Sequence, residues 1–75
     1  MEPYKIRFIK EYKELKERYE KLDAMLKKHR KGKLEFTPDS PIRLLVIQHD
    51  AMWAYMRALE MRAIHEDIDL KNEVK

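Results

Sequence analysis

The sequence contains no cysteine, and only one glycine and three prolines among its 75 residues. Without cysteine the chain has no disulfide bond and no thiolate metal site. A single glycine excludes a glycine-rich phosphate-binding loop, and so few turn residues argue against a β-sheet protein. The longest run of aliphatic residues, Leu44 to Ile47, is too short to span a membrane. We therefore expect a helical protein that does not cross a membrane.

A chain of this length forms one domain, and its single apolar core is only marginally stable by itself. Small domains usually gain stability from disulfides, a metal or oligomerisation. His29, His49 and His65 fall on different elements or faces and form no His-x-x-x-His pair, so we expect no metal site and no cofactor. Self-association is the remaining route, and we expect a homo-oligomer.

The charges are divided unevenly along the chain, whose net charge is +3. Residues 1–31 contain eleven basic and six acidic side chains, whereas residues 32–75 contain six and eight. Two halves of opposite charge can attract each other within one chain or between copies. The basic run at residues 27–33 has no aromatic residue among its cations, so nucleic acid is not the expected partner. Met1-Glu2-Pro3 does not resemble a secretory signal, and we expect a cytoplasmic protein.

The first helix is predicted over residues 4–31. Its apolar residues are spaced alternately four and three apart, as in the seam of a coiled coil: Phe8, Tyr12, Leu15, Tyr19, Leu22 and Leu26. Cations at residues 27–31 complement the helix dipole, and Gly32 suits a left-handed C-terminal cap.

A second helix is predicted over residues 41–68, after a connection at residues 32–40. Ser40 is a suitable N-cap residue and Pro41 suits the first helical position. Residues 69–75 are expected to fray. Two helices of similar length with a short connection predict an all-α antiparallel hairpin, one domain over residues 1–75, assembled into a helical-bundle oligomer.

The second helix has more apolar surface than one neighbouring helix can cover. At about 100° per residue, one stripe, which we call the alanine stripe, comprises Leu44, Ile47, Ala51, Ala54, Ala58 and Met61. A stripe beside it comprises Leu45, Gln48, Met52, Tyr55 and Leu59. A third group, which we call the tryptophan ridge, comprises Val46, Trp53 and Ile64. Apolar surface of this extent usually marks an interface, and the alanine stripe is the predicted oligomer interface.

The sequence does not contain an evident catalytic constellation. His49 and Asp50 are adjacent, so on a helix they point about 100° apart. His65 and Asp69 have helical spacing, but Asp69 lies where the helix is expected to end. Ser40 is better explained as a cap than as a nucleophile. We therefore expect a protein that is not an enzyme.

Two groups of residues on the second helix are candidate binding sites. Trp53 either packs against a neighbouring subunit or anchors a partner. The predicted partner-binding residues are Trp53, Val46, Ile64, His49 and Arg57. Tyr55 and Arg62 could line a ligand pocket between subunits, if the second helices pair. The alternatives are core packing for Tyr55 and a salt bridge from Arg62 to Glu66.

Three segments of the chain carry a pattern that resembles a family of small proteins encoded by crAss-like and other phages of gut bacteria. They are Tyr19-Glu20-Lys21-Leu22, the stretch from Phe36-Thr-Pro38 through Pro41-Ile-Arg-Leu44-Leu45 to Gln48, and its continuation at Met52, Tyr55, Leu59, Arg62-Ala63 and Ile68-Asp-Leu70. The resemblance covers most of the chain and implies a phage protein acting in the host cytoplasm. Members of that family carry Gly near position 67, where Asp67 stands here.

A second similarity concerns Ala51-Met52-Trp53-Ala54 in a helix that follows the turn Pro38-Asp39-Ser40. It resembles helical anti-defence proteins that sequester cyclic nucleotide signals, although the spacing to the turn differs. Our main hypothesis is a phage accessory or counter-defence protein that binds a host protein. The alternatives are an oligomeric sponge for a cyclic or ADP-ribose-type nucleotide signal, with pockets between subunits, and a phage structural or assembly component.

Overall fold

The computed structural model describes residues 2–72 and contains two α-helices, α1 (Pro3–Arg30) and α2 (Ile42–His65). The helices pack side by side in opposite directions and form an elongated molecule of 45 × 23 × 19 Å. The predicted all-α hairpin is therefore confirmed. Neither helix in residues 2–72 is long and apolar enough to cross a membrane.

Helix α1 begins and ends with residues suited to those positions. Pro3 lies in the first turn, where its missing N–H would have no helical acceptor in any case. At the other end Gly32 has φ of 69°, and its N–H donates to the His29 carbonyl at 2.9 Å. The N–H of Lys33 donates to the Lys28 carbonyl, also at 2.9 Å, which completes a Schellman motif. The left-handed cap predicted at Gly32 is confirmed.

Helix α2 begins differently from the prediction. Pro41 is the N-cap residue, with extended ψ of 143°, and no side chain caps the helix. The Pro41 carbonyl accepts hydrogen bonds from the N–H groups of Leu44 at 3.0 Å and Leu45 at 3.4 Å. The prediction of Ser40 as N-cap is therefore wrong, because the chain turns into the helix one residue later than expected.

The face that α1 buries is the predicted coiled-coil seam. Phe8, Leu15 and Leu26 are buried, while the seam positions between them are half-buried: Tyr12, Tyr19 and Leu22. Ile9, beside the seam, is 1% exposed and lies at the centre of the core. The spacing of four and three residues thus identified the buried side of α1.

The face that α2 packs against α1 is rotated slightly from either predicted stripe. It consists of residues that are also spaced alternately four and three apart: Leu45, His49, Met52, Met56, Leu59 and Ala63. Leu45, Met52 and Leu59 belong to the predicted second stripe, but Gln48 and Tyr55 of that stripe are exposed. Met56 takes the place in the core that Tyr55 was expected to fill.

Polar contacts join α1 to α2 and to the chain just after α2. The Tyr12 hydroxyl donates to Glu60 Oε2 at 2.6 Å, and Lys5 Nζ reaches the Asp67 carbonyl at 3.5 Å. Burial, together with the Glu60 carboxylate, raises the pKa of Tyr12 to about 12. The phenol therefore remains protonated and serves as a donor that holds α1 against α2.

The chain after α2 folds back onto the hairpin. Helix α2 ends at His65, Asp67 adopts a left-handed φ of 56°, and the Ile68 N–H donates to the Ala63 carbonyl at 2.8 Å. Ile68 is buried in the core, and Leu70 packs against it. The predicted extension of the helix to residue 68 is wrong, because the chain reverses at Asp67 and places Ile68 in the core.

Residues 69–72 are held in place, contrary to the fraying expected there. Lys13 Nζ donates to the Asn72 carbonyl at 2.6 Å, which ties this segment to α1. Residues 73–75, for which fraying was also expected, lie outside the described part of the chain.

Candidate functional site

The alanine stripe lies fully on the side of α2 that faces away from α1. All six of its members are exposed, and the largest of them include Ile47 at 63% exposure and Met61 at 59%. The residues that pack on α1 lie on the opposite side of the helix. Because the hairpin leaves this apolar row uncovered, the alanine stripe remains our candidate for an interface.

The tryptophan ridge is exposed as well. Trp53 is 53% exposed and Ile64 80%, and Val46 is also on the surface. The Arg57 guanidinium lies 5.8 Å from the centre of the Trp53 ring, within cation–π range, and its Nη1 is 3.3 Å from Glu60 Oε1. Arg57 therefore belongs to the same surface as Trp53.

His49 does not share that surface. Its side chain, 19% exposed, lies between the helices, where Nε2 is 2.9 Å from Asp23 Oδ1 and the ring stacks on Tyr19 at 4.6 Å. Its Nδ1 is 3.1 Å from Asp50 Oδ1. The structure thus separates His49 from the other predicted partner-binding residues and gives it a part in joining α1 to α2. The signal for this position was its spacing, four residues after Leu45 and three before Met52.

Asp23 and His49 join α1 to α2 through a contact that we call the His49 bridge, and both have shifted pKa values. A hydrogen bond from Lys27, at 2.8 Å, and a second one from His49 lower the pKa of Asp23. Burial tends to lower the pKa of His49, but the carboxylates of Asp50 and Asp23 outweigh it, so that the pKa is raised. The bridge is therefore strongest when Asp23 is ionised and His49 is protonated.

The His49 bridge predicts that stability falls on the alkaline side of neutrality. Its contribution is fully present below pH 6.5, the ordinary pKa of histidine, and is lost as pH rises through the raised pKa of His49. The contribution from Asp23 is present above pH 3.8 and is lost as pH falls through its lowered pKa.

We expect the melting temperature to fall between about pH 6 and pH 8.5, because the protonated form of His49, which Asp50 and Asp23 stabilise in the folded state, is lost over this range. The His49→Gln variant should show a flatter profile over that range. His29→Gln is the control, because His29 is exposed. Thermal melts followed by circular dichroism measure this, and identical profiles for wild type and His49→Gln would contradict it.

Tyr55 and Arg62 are both exposed and lie two helical turns apart on one face of α2. Arg62 Nε donates to Glu66 Oε2 at 2.9 Å, and the guanidinium lies 4.9 Å from the centre of the Phe8 ring. The salt bridge predicted as an alternative for Arg62 is therefore present. Core packing, the alternative for Tyr55, is wrong, because Met56 fills the core at that level.

The clefts of a single chain are small or open. One cleft of about 130 Å³ lies between the helices near the connection, lined by residues that include Leu26, His29, Val46 and His49. Small-molecule sites usually occupy about 300–1,000 Å³. A larger cleft of about 470 Å³ follows the connection past Phe36 but is a shallow surface depression. Within residues 2–72 no group of three or more His, Asp or Glu side chains could hold a metal ion.

A family model described as Sequestin matches residues 2–65, a span that includes both helices from the start of α1 to the end of α2. No curated protein and no solved structure matches the chain. The matched span contains the alanine stripe, the tryptophan ridge and the pair Tyr55 and Arg62.

Proposed function

The chain belongs to the Sequestin family, and from this membership we propose that it is a non-enzymatic protein that sequesters a small nucleotide signal. The family name is consistent with a binding role and supports the proposal in that respect. The ligand class that we propose is a cyclic or ADP-ribose-type nucleotide, bound in pockets between copies of the chain. A phage origin, with action in the host cytoplasm, completes the proposal as a counter-defence protein.

The exposed pair Tyr55 and Arg62 is the observation that carries the nucleotide assignment. An arginine guanidinium has five N–H donors in a fork that matches phosphate oxygens, and Glu66 uses the Nε donor of Arg62. A tyrosine ring provides a flat surface on which a base can stack. The two side chains lie about 10 Å apart along the helix, since each residue rises by about 1.5 Å. Together they supply the two contacts that a nucleotide needs.

The size of the clefts supports a pocket that two copies build together. The 130 Å³ cleft between α1 and α2 is too small for a nucleotide, and the depression along the connection does not enclose one. The alanine stripe lies next to Tyr55 and Arg62 on α2 and is exposed. A second copy docked on the stripe would therefore supply the missing wall of the site.

Calorimetry with a panel of cyclic dinucleotides and ADP-ribose-type nucleotides tests the proposal. We expect at least one of them to bind, and Arg62→Gln to bind it at least about tenfold more weakly, since a charge-assisted hydrogen bond contributes about 1.5–3 kcal/mol. Arg18→Gln is the matched control, because Arg18 is exposed on α1, away from Tyr55 and Arg62, and pairs with Glu14. Absence of heat with every nucleotide of the panel would refute the assignment.

The tryptophan ridge favours a second candidate function, the capture of a host protein. Trp53 is half-exposed and is held by Arg57, and tryptophan and arginine are the residues that most often dominate protein interfaces. In this case the Trp53→Ala variant should keep the helix content of the wild type but no longer bind the host protein. Unfolding of Trp53→Ala would show instead that the indole is structural.

A further inference from the structure

We infer that two copies of the chain pair through antiparallel α2 helices, about a two-fold axis that passes between Met52 and Trp53. In this pairing the alanine stripes face each other, and Asp50 of each copy lies beside Arg57 of the other. One part of the inference rests on the proposed function, namely that the second copy of the chain completes the nucleotide site. It specifies the direction and the register of the interface, which exposure alone leaves open.

The alanine stripe has the same spacing when it is read in either direction. In two antiparallel helices, residues at the same height have numbers with a constant sum, because each residue rises by the same distance. For a sum of 105 every member of the stripe faces another member. The facing pairs are Leu44 with Met61, Ile47 with Ala58, and Ala51 with Ala54 of the second copy. A shift by one heptad in either direction leaves two stripe residues of each copy without an apolar partner.

The charges along one edge of the stripe select the same register. Asp50 and Arg57 lie there with side chains that are 72% and 59% exposed. In the proposed register Asp50 is two residues, or about 3 Å, from the level of Arg57 of the second copy, and the two-fold axis repeats this pair. Opposite charges at such flanking positions set the partner and the orientation of paired helices.

Other arrangements of the same stripe bring like charges together. If the helices are shifted so that the sum of facing residue numbers is 98, Asp50 lies beside Asp50 of the second copy, and Arg43 lies beside Arg57. If the sum is 112, Arg57 lies beside Arg57 of the second copy. Parallel pairing places Arg57 beside Arg62. Since like charges in contact are destabilising, the antiparallel register is favoured both by attraction within it and by repulsion in its competitors.

The surface area of the hairpin is consistent with a covered face. The single chain exposes 6047 Å², against about 4,900 Å² for a compact monomer of its mass. A stable interface buries about 800 Å² on each side. The excess surface of the hairpin is thus comparable to one side of an ordinary interface, and the alanines at its centre let the two helices approach closely.

The proposed pairing also gives the ligand site a contribution from each copy. On the edge of the stripe opposite to Asp50, Tyr55 lies within two residues of the level of Gln48 of the second copy. Gln48 is exposed in the hairpin and carries both a donor and an acceptor. Each site would then combine Tyr55 and Arg62 of one copy with Gln48 of the other, and the dimer would contain two such sites.

Cysteine cross-linking tests the register, because the natural chain contains no cysteine. We expect a mixture of Ile47→Cys and Ala58→Cys chains of different tagged length to form a mixed disulfide in high yield under mild oxidation. Each variant alone should form none, since its two cysteines would be about 16 Å apart along the axis. Homodisulfides from either variant alone would show parallel pairing. A monomeric wild type, or a dimer without the mixed disulfide, would also overturn the inference.

Charge exchange provides an independent measurement. Asp50→Arg and Arg57→Asp should each weaken self-association several-fold, because each creates two repulsive pairs. A mixture of the two variants should form heterodimers, in which both pairs are attractive again. Nucleotide calorimetry on the same samples separates the two proposals. A cross-linked dimer without nucleotide binding refutes the proposed function alone. Nucleotide binding by a monomer refutes the pairing and the shared pocket, but leaves nucleotide binding itself standing.

Discussion

Replacing Leu59 by alanine is expected to lower the free energy of unfolding by about 2–5 kcal/mol. Leu59 is 1% exposed and lies in the core with Phe8, Ile9 and Ile68, so its removal leaves a cavity among residues from both helices and the C-terminal segment. Alanine has the higher helix propensity, and the loss therefore cannot come from the helix itself. For a domain of this size the change is a large part of the total stability.

Urea denaturation followed by circular dichroism measures this effect. Ile64→Ala is the matched control, because Ile64 belongs to the same helix and is 80% exposed. It should change the free energy of unfolding by less than about 0.5 kcal/mol. All samples must have the same protein concentration, since the proposed self-association would stabilise the fold by mass action. A loss below ~1 kcal/mol for Leu59→Ala would mean that the core does not depend on this side chain.

Replacing Ala54 by glutamate should convert the proposed dimer into monomers of 9.2 kDa. Ala54 lies in the middle of the exposed alanine stripe, opposite to the hairpin core. In a paired interface the new carboxylate would be desolvated without a partner, and its equivalent in the second copy would add repulsion. Such changes cost several kcal/mol, so we expect self-association to weaken roughly a hundredfold or more.

Light scattering gives the mass, and circular dichroism shows whether the hairpin remains helical. Ala24→Glu is the control, because Ala24 is exposed on α1. It should keep both the wild-type mass and the wild-type helix content. The interface would have to be placed elsewhere if Ala54→Glu kept the mass of the wild type. A wild type that is monomeric at all concentrations would remove the stripe from consideration as an interface between copies.

The seam of α1 could be predicted from the sequence because one pattern stood out. Its apolar residues follow a single row with alternating spacing, and lysine and glutamate occupy most other positions. No competing face of α1 is apolar enough to take the place of Phe8, Leu15 and Leu26. The C-terminal cap of α1 could be predicted equally well. Gly32 has a left-handed φ, and glycine is the residue type that adopts this conformation without steric cost.

The seam of α2 could not be predicted in the same way. More than half of its circumference is apolar, so several rows with the spacing of a coiled coil exist side by side. One includes Gln48 and Tyr55, and the row that packs on α1 includes His49 and Met56 instead. The choice between them depends on contacts with α1, chiefly the bond from Tyr12 to Glu60 and the bridge from Asp23 to His49.

The C-terminal end of α2 could not be predicted from the sequence either. Asp67 continues a helical pattern in the sequence, yet in the structure it adopts φ of 56°, a conformation that glycine adopts freely and aspartate tolerates. Local propensity alone did not reveal the reversal, because its benefit is the burial of Ile68 against residues of the distant α1.

The sequence by itself determined that two helices form, that they pair as a hairpin, and that α2 has apolar surface to spare. These properties follow from local propensities and from the ratio of apolar to charged residues along each helix. Only the tertiary structure decided which side of α2 meets α1, and therefore which apolar side chains stay exposed. The reason is physical: several faces of α2 are apolar enough to pack, so the choice among them depends on the fit and the polar contacts with α1, which the local sequence of α2 does not contain.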